Sequence, residues 1–290
     1  MTERRFGPLA VVALPYAWLA LFFLVPFLIV LKISFAETAI GIPPYTPLIT
    51  PDLHLDLHAA NYEFLTSDAL YAFAYGNSVK FALICTFLAL LLGYPMAYGI
   101  VRAPERWRGF LLMLVILPFW TSFLIRVYAW MGILSDNGLI NQALIGLGLV
   151  SAPVKLLNNA FSVGLGMVYS YLPFMVLPLY AALEKLDPTL LEAAADLGCR
   201  PWRAFVRVTL PLSLPGIIAG SLLVFIPMCG EFVIPELLGG PGTLMIGKVL
   251  WDEFFSNHDW PVAASVAVAM LALLAIPIAM VRRLLQVDLP

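Results

Sequence analysis

Glu231 has the least ordinary surroundings of any carboxylate in the sequence. The run Val208–Gly230 ahead of it holds no Asp, Glu, Lys or Arg, and Pro227, Gly230 and Pro235 flank it. A carboxylate in hydrocarbon costs on the order of 2.5–3.5 kcal/mol on insertion scales, so it is expected to meet a cation. One possible cation is a bound ligand. A carboxylate neutralises a positive charge, aromatic faces attract a cation by ~0.5–2 kcal/mol each, and Trp120, Tyr128, Trp130, Tyr169 and Tyr171 are available. Trp and Tyr at span ends also serve as interface anchors, which is their commoner use. The other possible cation is Arg126. Glu231 stands 17 steps from Leu214, and Arg126 stands 17 steps from Gly109, ~26 Å of helix in each case. That arithmetic puts the two at one height. Glu231 is therefore expected to contact substrate, to form a structural ion pair with Arg126, or to do each in alternating states. Glu236 is a further candidate nearer water. The prolines and glycine around Glu231 predict a bent or broken helix whose freed carbonyls line a cavity.

Two other spacings suggest chemistry and do not sustain it. Gly242-Thr243-Leu244-Met245-Ile246-Gly247-Lys248-Val249 follows the phosphate-loop pattern until Val249, which stands where a hydroxyl must reach magnesium, and no strand precedes it. Asp52-Leu53-His54-Leu55-Asp56-Leu57-His58 sets two carboxylates and two imidazoles on one strand face. A lone strand places them along a line rather than around an ion, so the segment reads as an outer-loop strand with its leucines turned inward. Cys85 and Cys229 fall in apolar runs and Cys199 in a basic loop, which argues for free thiols rather than a disulfide.

The elements that must position these groups follow from composition. The 290 residues are 62% hydrophobic and 12% charged, against about 25% charged in soluble domains. Leu9–Leu31, Phe81–Val101, Leu156–Leu183, Val208–Gly230 and Trp260–Val281 contain no charged residue, and Gly109–Ile125 is a shorter sixth block. A helix crossing hydrocarbon needs ~20 apolar residues. These runs are continuous, whereas barrel strands alternate. An all-α membrane protein with six transmembrane helices is expected, with spans at about 9–33, 78–101, 109–130, 158–183, 212–236 and 260–281. The first block is longer than a signal-peptide core and no Ala-x-Ala site follows it, so it is expected to stay attached.

With the N-terminus inside, eleven of the sixteen Lys and Arg fall on inner segments: Arg4, Arg5, Arg102, Arg106, Arg108, Lys185, Arg200, Arg203, Arg207, Arg282 and Arg283. The positive-inside rule then places both termini and the loop 184–211 in the cytoplasm. In that loop Asp187-Pro188 opens a helix, Ala193–Ala195 continue it and Gly198 can close it with a left-handed cap. Pro201 starts a second short helix, expected to run through Val208 and to end at Pro211. Small alanines permit close approach of a partner, and Glu192 offers it a carboxylate. Composition alone leaves this reading level with an amphipathic helix whose Arg200, Arg203 and Arg207 meet anionic lipid.

Spacing separates the two. Glu192-Ala193-Ala194, three residues, Gly198, nine residues, then Val208, any residue, Leu210 and Pro211 resembles the EAA loop of the membrane subunits of binding-protein-dependent ABC importers. Only Val208, for the usual Ile, departs from that pattern. Three further segments look like polyamine-importer permeases, in particular those of putrescine uptake: Leu117–Arg126, Tyr171–Tyr180 and Gly230–Gly240. The resemblance covers nearly the whole chain and is weakest over residues 41–60.

That resemblance implies a type I ABC importer permease fold, with residues 1–75 as an N-terminal span and long outer loop and 76–283 as the transmembrane core. It implies that Glu192, Ala193, Ala194, Gly198, Leu210 and Pro211 couple to a separate ATPase, and that Glu231, Trp120, Tyr128, Tyr171 and Glu236 lie along the substrate pathway. It further implies a second homologous permease as heterodimer partner, an ABC ATPase dimer carrying the ATP and magnesium, a periplasmic polyamine-binding protein, and no nucleotide site or metal on this chain. A permease for another small organic solute is the nearest alternative. An ion-gradient-driven transporter would explain the spans and Glu231 but not the spacing from Glu192 to Pro211. A membrane enzyme lacks support, since no span contains histidine.

Overall fold

The computed structural model describes residues 6–47 and 57–287. Arg4, Arg5, Asp52, His54 and Asp56 lie outside the described residues. The described chain is helical apart from its loops, and its one β-pairing is an isolated antiparallel bridge between Thr38 and Tyr45. Among the described residues, four helices are long and apolar enough to cross a membrane: Val12–Ile33, Ala69–Arg102, Ala160–Glu184 and Trp260–Ala279. Two bent pairs bring the number to six when each pair is counted as one span. Glu105–Trp120 meets Phe123–Gly146 at 88°, and Pro201–Leu212 meets Leu214–Cys229 at 63°. The continuous third span expected over 109–130 is therefore broken, and the fifth begins after a corner rather than at 212.

Contacts divide the chain into two compact units, Met1–Ala72 with Val249–Ile276 and Phe73–Lys248 with Pro277–Pro290. In the first, no side chain of Val12–Ile33 is buried, which leaves its apolar surface to be covered by lipid or another chain. The loop beyond that helix is held by half-buried polar contacts. Asn61 donates to the carbonyls of Ser34 and Ala36 at 3.0 and 2.8 Å, and the Ser34 and Tyr62 hydroxyls meet at 2.7 Å. The Tyr71 hydroxyl donates to Glu253 at 2.7 Å, that of Thr38 donates to Asp259 at 2.7 Å, and Phe254 stacks on Trp260.

The second unit is built on the packing of Ala160–Glu184 against Leu214–Cys229. The sequence reason is a pair of glycines four residues apart. A Cβ on Gly216 would sit 2.5 Å from the Ala182 Cβ, and one on Gly220 would sit 2.9 Å from the Met175 sulfur. In lipid, apolar burial does not drive helices together, so close backbone approach through small residues supplies the van der Waals contact that does. The same long helix starts on a capping box. Asn159 Oδ1 accepts from the N–H groups of Phe161 and Ser162, while Ser162 Oγ accepts from the Asn159 N–H. Ser162 also donates to the Leu238 carbonyl at 2.6 Å, which ties the short helix Val233–Leu238 to the long one.

Candidate functional site

Two helix breaks make a cavity around Glu231. In the first, Pro118 lacks an N–H, the chain tightens into a 3₁₀ turn over Leu117–Trp120, and Thr121 and Ser122 are extended. The Thr121 hydroxyl donates to the Pro118 carbonyl at 2.8 Å, and the helix restarts at Phe123 in a new direction. In the second, Leu214–Cys229 ends at Gly230 and Val233–Leu238 begins three residues later, so Glu231 lies in the gap that the prolines and glycine predict. Between these breaks lies a cavity of about 390 Å³ whose lining includes Phe119, Phe123, Arg126, Tyr171, Phe174 and Glu231.

Glu231 is buried, with 7% of its surface exposed. Its Oε1 accepts from the backbone N–H groups of Val233 at 3.0 Å and Ile234 at 3.3 Å, so it caps the short helix that follows. Its Oε2 accepts from the Tyr171 hydroxyl at 2.5 Å. Three donors converge on the carboxylate, and none of them is a cation. Arg126 is 9% exposed, with its guanidinium carbon 5.1 Å from the centre of the Phe119 ring and 5.8 Å from that of Phe123. Its Nε and Nη1 have no hydrogen-bond partner. The direct ion pair expected from the matched heights of Arg126 and Glu231 is not formed. Both groups line one cavity, but tyrosine and backbone amides occupy the carboxylate, and the guanidinium lies over aromatic rings instead.

The other pathway candidates fall elsewhere. Trp120 is 76% exposed and Tyr128 51% exposed, and neither lines this cavity. Glu236 is exposed and pairs with Lys248 at 2.9 Å. That ion pair engages the lysine of the phosphate-loop look-alike, and Thr243 in the same segment exchanges hydrogen bonds with Gly240. His58, from the alternating outer segment, pairs with Glu37 at 3.1 Å. Phe119, Phe123 and Phe174 were not singled out from the sequence. Pro118 and Thr121-Ser122 signal the break that carries Phe119 and Phe123, whereas Phe174, on Ala160–Glu184, has no such local signal.

The loop 184–211 presents a different construction. Asp187 accepts the Thr189 N–H at 2.9 Å, which holds its carboxyl below the usual range and starts the helix Thr189–Asp196. At the far end Gly198 has φ +74°, its N–H bonds the Ala195 carbonyl at 2.8 Å, and the Cys199 N–H bonds that of Ala194 at 2.9 Å. This is a Schellman closure on glycine, so the orphaned carbonyls are satisfied within the loop itself. Glu192, Ala193 and Gly198 are exposed on its surface, Ala194 is half-buried, and Leu197 and Trp202 stand out at 88% and 64% exposure.

The second helix does not stop at Pro211 as expected. It starts over Pro201–Ala204, widens into a π-turn over Phe205–Thr209 and continues through Leu210–Leu212. In an α-helix the Pro211 ring would press on the Arg207 carbonyl, and a wide turn ahead of it relieves that clash. The corner comes at Ser213, whose buried hydroxyl meets that of Tyr94 at 2.9 Å. Phe205 packs edge-on against Tyr94 and Tyr98 at 5.5 and 5.6 Å, so the loop is fastened to the long helix Ala69–Arg102.

Comparison with known proteins agrees over the length of the chain. Residues 9–287 match the family described as "Binding-protein-dependent transport system inner membrane component". The spermidine/putrescine transport system permease protein PotB of Haemophilus influenzae is 43% identical over 265 residues, covering 91% of this chain and 89% of that one. PotB of Escherichia coli K12 is 38% identical over 261 residues, covering 87% and 88%. Among solved structures, a chain of a bacterial alginate ABC transporter in complex with an alginate pentasaccharide-bound periplasmic protein superposes with a TM-score of 0.65. It is 22% identical and covers 97% of this chain and 96% of that one.

Proposed function

The chain belongs to the binding-protein-dependent transport system inner membrane components, and from that premise we propose that it forms half of the translocation pathway of an ATP-driven polyamine importer, with putrescine among its cargoes. The observation that carries the coupling part of this reading is the exposed glycine-closed knob at 187–212. It holds the Glu192–Pro211 spacing on a rigid corner and is pinned to Ala69–Arg102 through Phe205 and Ser213. Glu192, Ala193, Ala194 and Gly198 dock on an ABC ATPase dimer that binds ATP and magnesium, while Leu210 and Pro211 lead the motion into the spans. A second homologous permease supplies the other half, and a periplasmic binding protein delivers the cargo.

Polyamine as cargo is supported by the relatives' names and by the cavity's chemistry, a buried carboxylate bonded to a tyrosine amid phenylalanine rings. In this reading Glu231, Tyr171 and the rings take one ammonium end of the substrate. The excess of Lys and Arg on the loops 102–108 and 184–207 supports cytoplasmic termini.

The complete complex in proteoliposomes tests this. ATP-dependent uptake of labelled putrescine or spermidine that requires the binding protein and ignores ion gradients is expected; uptake that follows an ion gradient without ATP overturns it. Single cysteines in a Cys-less background should label from outside at 240–256 and only from inside at 187–205. Outside labelling of position 203 reverses the orientation.

A further inference from the structure

Arg126 is the anomaly of the cavity. A guanidinium nine-tenths buried in a chain of this kind normally has acceptors for its donors, since an unmet buried charge is expensive. Here Nε and Nη1 have none, and the group lies over Phe119 and Phe123. Those rings, with Tyr171 and Glu231 on the same cavity, are what an alkylammonium would seek: aromatic faces for its charge and a carboxylate beyond them. The chain's own cation stands where a cargo's cation would bind.

We propose that Arg126 is a resident cation that sets how much cargo charge the cavity accepts. It holds the aromatic faces when no cargo is present. An entering ammonium takes them, and the guanidinium shifts to an acceptor on the cavity wall. With Arg126 and Glu231 both present, the formal charges of these two groups cancel, so the cavity favours one ammonium end at a time and gives little advantage to a cargo with a further positive charge. Arg126 is thus a specificity-determining residue, and the inference rests on reading the cavity as a cation site.

The test is uptake by the full complex in proteoliposomes, comparing spermidine, with three amines, to putrescine, with two. One binding protein delivers both, so its preference cancels when a variant's ratio is divided by that of the wild type. Arg126→Met removes the charge and keeps an apolar chain. It should raise the spermidine-to-putrescine ratio on the order of tenfold, the size of one screened charge–charge interaction at short range. Arg126→Lys keeps the charge and should leave the ratio near wild type. Glu231→Gln shifts the charge balance the other way and should lower the ratio, which keeps the proposal testable if Arg126→Met fails to assemble. An unchanged ratio in Arg126→Met or in Glu231→Gln, whether uptake stays normal or falls for both cargoes alike, overturns the proposal. A wild-type complex that imports neither amine overturns the polyamine reading itself, a separate outcome.

Discussion

The cavity near Glu231 and the knob closed by Gly198 are both interruptions of helices made with Pro, Gly, Thr and Ser, yet they leave opposite surfaces. At the knob the backbone satisfies itself: the bonds that close the helix come from Gly198 and Cys199, and the side chains left outside include apolar Leu197 and Trp202. At the cavity, the side chains complete the break. Glu231 caps the next helix and takes the Tyr171 hydroxyl, and two nitrogens of the Arg126 guanidinium are left without acceptors. A break that closes locally makes a firm shape for another protein to grip. A break closed by distant side chains makes a cavity whose polar groups can change partners.

Mutations at the two regions should therefore fail in different ways. The largest expected effect is that of Glu231→Gln, where the amide group faces donors and the charge is lost. Polyamine uptake should fall on the order of a hundredfold, since hydrogen bonds to charged groups are the strong ones. Copurification of the partner permease and ATPase should stay near normal. Full uptake by this variant removes Glu231 from the pathway.

Gly198→Val should produce the converse. A left-handed conformation costs a non-glycine residue about 1–2 kcal/mol, and a β-branched one is worst placed there. Uptake and stimulated ATP hydrolysis should uncouple, with uptake down roughly tenfold, while membrane insertion is unchanged. No atom crowds a Cβ at Gly198, so the penalty is one of backbone conformation alone. Gly198→Asn, which tolerates that conformation, should restore most coupling. If valine and asparagine behave alike, the corner is not what couples.

Gly220→Leu tests the scaffold common to both regions. Overpacking against Met175 should cost about 1–3 kcal/mol, visible as a lower melting temperature of the purified complex with both functions reduced together. Asp187→Ala should have the smallest effect. Loss of a helix cap costs about 0.5–2 kcal/mol, and here it should loosen only the start of the knob. Hydrogen exchange at Thr189–Glu192 would report it, with cavity amides at Val233 and Ile234 unmoved. Faster exchange at both sites would show that the two regions are not separable.

Much of the knob was legible beforehand because its determinants are neighbours in the chain. Asp187, the alanines and Gly198 each act over one helical turn, and the structure puts the start and the closure where those residues require. The second helix runs past the expected stop at Pro211, because a π-turn can absorb the proline and the Tyr94–Ser213 contact holds the corner two residues further on. The cavity was legible only in part. Glu231 and the break around it follow from Pro227, Gly230 and Pro235, but of the five aromatics that the sequence offers with it only Tyr171 lines the cavity, while Trp120, Tyr128, Trp130 and Tyr169 do not.

By itself, then, the sequence determined where apolar helices run, where they must be interrupted and which loop carries the spaced Glu-Ala-Ala, Gly and Leu-Pro residues. Those are matters of hydration, hydrogen-bond supply and backbone sterics over a few residues. Only the tertiary structure decided that Tyr171, sixty residues away in the chain, rather than Arg126 would hold Glu231, and that Phe119 and Phe123 rather than Trp120 would line its cavity. An 88° bend between Glu105–Trp120 and Phe123–Gly146 re-aims every side chain beyond it. Beyond the bend, Phe123–Leu134 packs against Val233–Leu238, a contact between residues about a hundred positions apart that local periodicity does not encode.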